Sequence, residues 1–268
     1  MNNTFGFIGT GNMGGALAKA SAKKMMPEAI LLSNRTAAKA EKLAEALGCR
    51  AVSVEAAARE SGYIFLGVKP QMMAGLFETI APVLAEREDD FVLVSMAAGL
   101  TMADIRRMAG ADYPVIRIMP NTPVEVGSGV ILYDASENVE ESVLTQFCEN
   151  LESAGMLDRL EEKLIDAGSA VAGCGPAFAC LFAEALADGG VACGLPRKKA
   201  IEYAAQMLMG SAQLLLESGQ HPGTLKDAVC SPGGSTIAGL KALEDGNFRA
   251  TVMNCIMAAA KRNSELGK

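Results

Sequence analysis

Residues 4–20 read TFGFIGTGNMGGALAKA, and this stretch decides the fold class. Its apolar start, Thr4–Ile8, predicts a buried strand, and the segment Gly11–Lys24 predicts a helix. Where the strand passes into the helix, Gly9, Gly11 and Gly14 complete the pattern G-x-G-x-x-G. This order of strand, glycine turn and helix is typical of α/β folds that bind dinucleotides.

Each glycine of this turn has a physical role in binding a pyrophosphate. The first permits a tight turn, the second lets the backbone approach the phosphates, and the third lets the helix pack closely on the strand. The helix N-terminus adds backbone amides and the positive end of the helix dipole. The cofactor contacts predicted for this segment are Ile8, Gly9, Thr10, Gly11, Asn12 and Met13. The alternative interpretation is a turn whose glycines serve packing only.

The end of the second strand indicates which dinucleotide is bound. Ala29–Ser33 predicts this strand, and a helix follows over Thr36–Leu47 with Thr36 as its N-cap. A site for NAD would carry Asp or Glu here to bind the ribose 2′-hydroxyl, whereas this chain has Asn34, Arg35 and Thr36. Arg35 could pair with a 2′-phosphate, and its two neighbours could hydrogen-bond it. We therefore predict a preference for NADP(H), with NAD(H) possible; the alternative is an exposed loop arginine.

Further apolar runs predict more strands of the same sheet. They cover Tyr63–Val68, Phe91–Ser95 and Val115–Met119, with a shorter run at Val130–Tyr133. Because ligands of doubly wound sheets lie beyond the carboxyl ends of parallel strands, the residues after these runs are expected along one crevice. The candidate cofactor contacts there are Val68, Lys69, Pro70, Ala97, Ala98, Gly99 and Asn121. Asn121 is predicted to bind a carboxamide, and Arg117 is predicted to be structural and to bond loop carbonyls.

The strand signal disappears after about residue 160, and helical periodicity takes its place. It covers Glu162–Ala172, Pro176–Cys193, Arg197–Glu217 and Phe248–Leu266. The predicted architecture is an α/β Rossmann-like doubly wound sheet over residues 1–160, followed by an all-helical dimerisation and substrate-binding domain over residues 161–268. Ala, Gly and Leu occupy more than one face of these helices, which a bundle of about 100 residues cannot cover alone. A homodimer is therefore expected, and a larger assembly of dimers is possible.

Composition limits the partners and the location. The 268 residues are 50% apolar and carry a net charge of −7, which argues against nucleic acid or an anionic membrane as partner. Seven cysteines lie without C-x-x-C pairs, so neither a disulfide framework nor a metal site is predicted. No run of about 18 uninterrupted apolar residues predicts a membrane span. A reducing cytoplasm is the expected location.

A second glycine-rich turn, Ser231–Thr236, opens a helical segment at Ile237–Glu244. Two glycines followed by hydroxyls at a helix start could hold a small carboxylate with backbone amides. The alternative is an ordinary helix start. His221 is the single histidine of the chain and is followed by Pro222, so we interpret it as a capping or solvent residue rather than an acid–base catalyst.

With these motifs placed, the chain resembles the pyrroline-5-carboxylate reductases over Phe5–Ser264. The most specific matches are HPGTLKD at residues 221–227 and SPGGSTI at residues 231–237. Supporting matches are VKP at 68–70, MPNTP at 119–123, GPAF at 175–178 and DGG at 188–190. The resemblance implies reduction of L-1-pyrroline-5-carboxylate to L-proline with NAD(P)H, the last step of proline synthesis, by an interlocked dimer.

The same resemblance assigns the residues around a small imino-acid substrate. The implied substrate contacts are Glu162, Gly233, Gly234, Ser235 and Thr236. The turn would hold the carboxylate, and the Thr236 hydroxyl would lie near the ring nitrogen as the catalytic side chain. Because the imine nitrogen is basic enough to be protonated, orientation and electrostatic complementarity could suffice for catalysis without a strong base.

Two other functions fit part of the pattern. A hydroxyacid dehydrogenase or related imine reductase could share the two-domain plan. Alcohol oxidation needs a general base, however, and Pro176–Cys193 contains neither Lys nor His. A non-catalytic sensor of NADPH would have no need of the second turn at Ser231–Thr236. Both remain alternatives to the reductase hypothesis.

Overall fold

A computed structural model describes residues 1–266 of the chain. Within these residues the strands are β1 (Phe5–Ile8), β2 (Ile30–Ser33), β3 (Arg50–Ala51), β4 (Tyr63–Leu66), β5 (Val92–Ser95), β6 (Val115–Pro120), β7 (Gly129–Ala135) and β8 (Gly155–Arg159). The helices of the first half are α1 (Asn12–Ser21), α2 (Ala37–Leu47), α3 (Val54–Glu60), α4 (Met73–Ala85), α5 (Met102–Ala109) and α6 (Glu141–Leu151). Those of the second half are α7 (Glu162–Ala172), α8 (Gly175–Ala192), α9 (Arg197–Ser218), α10 (Pro222–Ala228), α11 (Ser235–Asp245) and α12 (Phe248–Leu266).

The eight strands form one sheet in the order β3-β2-β1-β4-β5-β6-β7-β8. All neighbours from β3 to β6 are parallel, which confirms the predicted doubly wound arrangement for this part of the sheet. The βαβ pattern does not extend to β7, which runs antiparallel to β6. Residues 121–128 between them contain only a short 3-10 turn, Thr122–Val126, whereas a parallel crossover needs about a dozen residues or more.

Two strands gave no usable sequence signal. β3 has two residues, both exposed, and β8 has a mostly exposed pattern at the edge of the sheet. The apolar runs that predict the other strands are those buried on both faces: each residue of β1, β2, β4, β5 and β6 is buried. Edge strands lack this double burial, so their composition is not distinctive.

The aromatic side chains of β1 and β4 form the centre of the core. Phe7 stacks on Phe65 with ring centroids 4.3 Å apart, and Phe5 lies 4.9 Å from the rings of both Tyr63 and Phe65. The Tyr63 hydroxyl donates a hydrogen bond to the Val143 carbonyl at 2.8 Å. Burial raises the pKa of Tyr63 far above its ordinary value, so this phenol stays neutral and satisfied. The carboxyl ends of β1 and β4 therefore extend from a closely packed aromatic core.

The chain divides into two compact units. One contains Met1–Cys174 with the end of α12 from Ala259, and the other is Gly175–Ala258. Helix α7 belongs to the first unit because Ile165 is fully buried against the sheet residues Met119 and Leu132. The boundary between the compact units thus follows α7, whereas the predicted domain boundary at residue 160 precedes α7. The assignment of α7 to the dimerisation and substrate-binding domain remains a prediction about function.

The second unit is helical, as predicted, and its helices expose many large apolar side chains. Leu216 is 82% exposed and Leu181 is 65% exposed in the single chain. By length and composition, the helical stretch Glu162–Ala192 could also cross a membrane. That stretch includes α7, which packs on the sheet. The exposed apolar faces agree with the expectation that another protein surface covers this unit.

Candidate active site

The carboxyl ends of three central strands are tied together by backbone hydrogen bonds. The Gly9 amide donates to the Ser33 carbonyl at 2.8 Å, and the Gly67 amide donates to the Ile8 carbonyl at 2.7 Å. The tips of β2, β1 and β4 therefore meet at one edge. The candidate residues that follow these strands lie along that edge, as expected for a dinucleotide site at a switch in strand order.

The three glycines of the first turn differ in what surrounds them. A Cβ on Gly14 would lie 2.2 Å from the Gly9 carbonyl oxygen, and a Cβ on Gly9 would lie 2.5 Å from the Gly67 carbonyl oxygen. Gly9 also has a φ of +103°, which only glycine adopts readily. At Gly11, no described atom lies within 4 Å of an added Cβ. The protein's own packing requires the first and third glycines, whereas the second faces open space that a pyrophosphate could use.

Thr10 gives an independent indication that this turn holds a ligand. Its Oγ1 is buried and has no hydrogen-bond partner among the described residues. An unsatisfied buried hydroxyl is unfavourable unless a ligand or water completes it. The N-cap of α1 is Gly11, which brings no side chain to the helix start. The turn therefore fits a dinucleotide phosphate, and the packing-only interpretation leaves both Thr10 and Gly11 unexplained.

Two of the three predicted 2′-phosphate residues, Asn34 and Arg35, border a cleft of about 480 Å³. The cleft lies between the segments that follow β2 and β3, and Arg35 is exposed beside it. Asn34 Nδ2 donates to the Thr36 carbonyl at 3.2 Å and so shapes this loop. Thr36 is the N-cap residue of α2, as predicted, and its exposed side chain makes no capping hydrogen bond. The Thr36 hydroxyl and the Arg35 guanidinium are consequently available to a phosphate.

Replacing Arg35 with alanine is expected to weaken NADPH binding by about 1.5–3 kcal/mol, the scale of a charge-assisted hydrogen bond. NADH lacks the 2′-phosphate, so its affinity should change little. Fluorescence titration with both reduced cofactors measures the two dissociation constants. Equal losses for NADPH and NADH would assign Arg35 to the loop structure instead.

The predicted contacts after β4 and β5 can act mainly through their backbone. Lys69 is exposed at the start of a short 3-10 turn, Pro70–Met72, with Val68 and Pro70 partly buried beside it. Ala97 is 2% exposed, and its methyl packs into the core. Gly99 has a φ of +77°, which produces the bend before α5. Small side chains thus leave backbone groups of the 97–99 loop accessible at the cofactor edge.

Asn121 has a structural role that the sequence did not indicate. Its Nδ2 donates to the Ala172 carbonyl at 3.0 Å, and its Oδ1 accepts from the Val130 amide at 2.8 Å. These two bonds tie the end of β6 to β7 and α7. Nδ2 keeps a second N–H and Oδ1 a second lone pair, so the contact with a carboxamide stays a prediction.

Glu162 and Arg117 make contacts that the sequence did not indicate, while the substrate contact of Glu162 stays a prediction. Glu162 Oε1 accepts a hydrogen bond from the Met102 amide at 2.7 Å, so this carboxylate holds the N-terminus of α5. Arg117 is structural, as predicted, but it pairs with carboxylates rather than loop carbonyls: Nη2 lies 2.7 Å from Asp166 Oδ1. Asp166 was missed, although it stands four residues after Glu162 and therefore on the same face of α7.

The second glycine-rich turn has the form expected of a helix-start anion cradle. Gly234 is the N-cap of α11 and brings no side chain to the helix start. Its amide donates to the Ser231 carbonyl at 3.0 Å, and a Cβ on Gly234 would lie 2.3 Å from Ser231 Oγ. Gly233 has a φ of +67°. Ser235 and Thr236 occupy the first turn of the helix, and both are exposed in the single chain.

The interpretation of His221 as a capping residue is confirmed. It is the N-cap of α10, and its ring Nδ1 accepts a hydrogen bond from the Gly223 amide at 3.1 Å. The histidine thus shapes the start of α10.

Comparison with known proteins connects these two turns to one family. A family model described as "Pyrroline-5-carboxylate reductase dimerisation" matches residues 162–266, and one described as "NADP oxidoreductase coenzyme F420-dependent" matches residues 4–99. The pyrroline-5-carboxylate reductase of Pisum sativum is 39% identical over 265 residues, which are 98% of this chain and 96% of the relative. The chain belongs to the pyrroline-5-carboxylate reductase family. The Escherichia coli reductase is 34% identical and matches over the full length of both chains.

Solved structures agree with this assignment. The pyrroline carboxylate reductase of Plasmodium falciparum, solved with NADP bound, superposes with a TM-score of 0.89 at 32% identity. It covers 100% of this chain and 99% of the other. A ketol-acid reductoisomerase superposes with a TM-score of 0.66 at 15% identity, which shows a shared fold only. The chain is therefore a reductase of the NADP-dependent Rossmann type by family and by fold.

Proposed function

We propose that this protein reduces L-1-pyrroline-5-carboxylate to L-proline with NADPH, the last step of proline synthesis. The observation that carries the proposal is the similarity to reductases of that name over the whole chain, with both glycine-rich turns present. The open space at Gly11 and the unsatisfied Thr10 hydroxyl support dinucleotide binding. The available groups around Arg35 support NADPH over NADH, which remains usable.

The chain's own residues act by binding and orienting. NADPH, when bound, supplies a hydride to the C=N carbon of the ring. Amides at the start of α11, after Gly233 and Gly234, hold the substrate carboxylate with the positive end of the helix dipole. The Thr236 hydroxyl binds the ring nitrogen and stabilises its protonated form. Residues 97–99 present backbone groups that orient the nicotinamide half, so catalysis rests on proximity and fixed dipoles.

We further propose that the protein works as a homodimer in the cytoplasm, with larger assemblies of dimers possible. The dimerisation description of the matching family model and the exposed apolar helices support the dimer. A small imino acid is the proposed partner, and the net charge of −7 makes nucleic acid an unsuitable one. The seven free thiols fit a reducing compartment.

The proposal is tested by NADPH oxidation at 340 nm with pyrroline-5-carboxylate and with its six-membered homologue, using wild-type protein and Thr236→Ala. Wild type should oxidise NADPH only when an imine is added. Thr236→Ala should keep its fold and NADPH affinity, while kcat/KM for the imine falls roughly 10–100-fold, the scale of one hydrogen bond at a desolvated site.

How the loss in kcat/KM divides between kcat and KM distinguishes two roles of the Thr236 hydroxyl. A fall in kcat means that it acts in the transition state, and a rise in KM means that it positions the substrate. Unchanged kinetics would remove Thr236 from the mechanism. NADPH binding without imine-dependent turnover in wild type would instead favour the sensor alternative and contradict the proposed reaction.

A further inference from the structure

A buried arginine on β6 and two partly exposed carboxylates on α7 form a charged group. The Arg117 side chain is 2% exposed; its Nη2 bonds Asp166 at 2.7 Å, and its Nη1 lies 3.6 Å from Glu162 Oε1. Arg117 Nε is buried without a hydrogen-bond partner among the described residues. A buried charge is tolerated when opposite charges compensate it, so the guanidinium and the two carboxylates have to be considered together.

Glu162 connects this group to the cofactor edge of the sheet. Its Oε1 accepts the Met102 amide, which is the first helical amide of α5. Thr101 precedes Met102 and is the N-cap of α5. Its side chain and backbone exchange hydrogen bonds with Asp104 in a capping box. The Met96–Leu100 loop ends directly at this helix start. Fixing the Met102 amide therefore fixes one end of the loop that borders the nicotinamide half.

The backbone at Glu162 and Asp166 is held by the surrounding elements. The Glu162 amide donates to Asp134 Oδ2 at 2.7 Å, and Asp134 stands opposite Arg117 in the β6–β7 pair. Asn263 Nδ2 donates to the Asp166 carbonyl at 3.1 Å. The backbone of α7 is thus anchored without Arg117. What Arg117 adds is the attraction that keeps the Glu162 carboxylate turned toward β6 and the Met102 amide.

We propose that Arg117 is a positioning residue for the reduction: through Glu162 it fixes the start of α5 and, with it, the Met96–Leu100 loop against the nicotinamide. The loop's role toward the cofactor rests on the proposed function. The Glu162–Met102 link is a property of the chain alone. Arg117 touches neither substrate nor cofactor in this account, so its effect should appear as misorientation rather than as lost affinity.

Arg87 provides a matched control. Its side chain is also 2% exposed, and its Nη1 donates to the carbonyls of Ala58 and Ser61 before β4. It therefore lies at the amino ends of the parallel strands, at the opposite edge of the sheet. Arg87→Met should lower stability as the loss of any buried arginine does, yet leave the cofactor edge unaltered.

The first measurement is amide hydrogen exchange over residues 96–105, without and with NADPH. In Arg117→Met the Met102 amide should exchange about 10-fold faster than in wild type, because Glu162 no longer holds it closed. NADPH should protect this segment in wild type and protect it less in the variant. Arg87→Met should match wild type. If Arg117→Met does not fold, Arg117→Lys should shift the same amide in the same direction by less, since one ammonium replaces the two-pronged guanidinium.

The second measurement separates orientation from affinity. Arg117→Met should lower kcat about 10-fold while the NADPH dissociation constant stays within about threefold, because a misplaced nicotinamide slows transfer more than it weakens binding. The isotope effect on kcat with NADPH deuterated at both C4 positions should rise in the variant. A merely smaller folded fraction would leave that isotope effect unchanged.

Several results would overturn the proposal. An unchanged exchange rate of the Met102 amide in both Arg117 variants would show that Arg117 does not act on the start of α5. Faster exchange of the Met102 amide with unchanged kcat and isotope effect would show that Arg117, Glu162 and Asp166 contribute to stability and not to the reaction. If wild type does not reduce the imine, the proposed function fails on its own. NADPH-dependent protection of residues 96–105 then still decides whether Arg117 positions the loop.

Discussion

Replacing Gly11 with alanine is expected to abolish tight NADPH binding while leaving the protein folded. No described atom lies within 4 Å of the added methyl, so the native packing accepts it. The methyl instead enters the space through which the backbone would approach the pyrophosphate. We expect NADPH affinity to fall about 100-fold or more, since a displacement of about 1 Å at a bound group has effects of that order.

Gly14→Ala is the matched comparison for this prediction. Its added methyl would lie 2.2 Å from the Gly9 carbonyl oxygen, so the turn and α1 would have to separate. Overpacking of this kind costs about 1–3 kcal/mol and should appear in thermal unfolding. Gly11→Ala should unfold like wild type yet fail to bind NADPH in a fluorescence titration. Retained NADPH affinity in folded Gly11→Ala would place the pyrophosphate elsewhere.

The sequence predicted the carboxyl edge of the parallel strands well because the relevant information is local. A doubly buried strand is continuously apolar, and the turn after it exposes backbone or polar groups at fixed positions. For that reason the sequence assigns the residues around Gly9, Arg35 and Ala97 to one edge, and the sheet order agrees. The direction of β7 was harder to predict, since it depends on the length of the 121–128 connection rather than on the apolar pattern.

Contacts between distant segments are the part of the site that the sequence did not predict. Asn121 bonds Ala172, which stands 51 positions later, and Glu162 bonds Met102, 60 positions earlier. A polar residue after a strand looks the same in sequence whether its partner is a ligand or a remote backbone group. The sequence does contain one signal for this contact: the spacing of four between Glu162 and Asp166 places two carboxylates on one face of α7, which favours a nearby cation such as Arg117.

The helical unit differs from the first unit because, in the single chain, it buries few apolar side chains. Within Gly175–Ala258 the buried apolar side chains of the described structure are Ala187, Ala200 and Ala204. Leucines and methionines of α8, α9 and α12 remain exposed instead. So many exposed large apolar side chains on a few helices are unfavourable in water and are typical of an interface. A second copy of the chain offers identical apolar faces, so a symmetric dimer can cover both.

Leu181→Glu should therefore break the assembly and remove most of the activity. Leu181 is 65% exposed on α8, and a carboxylate buried there by a partner would lack any compensating charge. Wild type should sediment as a dimer, or as a multiple of a dimer, at every concentration where it is active. Leu181→Glu should sediment as a monomer. Its activity should fall roughly 10-fold or more, because folding and association are coupled in obligate dimers. Met26→Glu is the control, because Met26 is 71% exposed but lies in the other unit, and it should leave both properties unchanged. An active wild-type monomer would contradict the dimer and would require the exposed helices to be stable in water on their own.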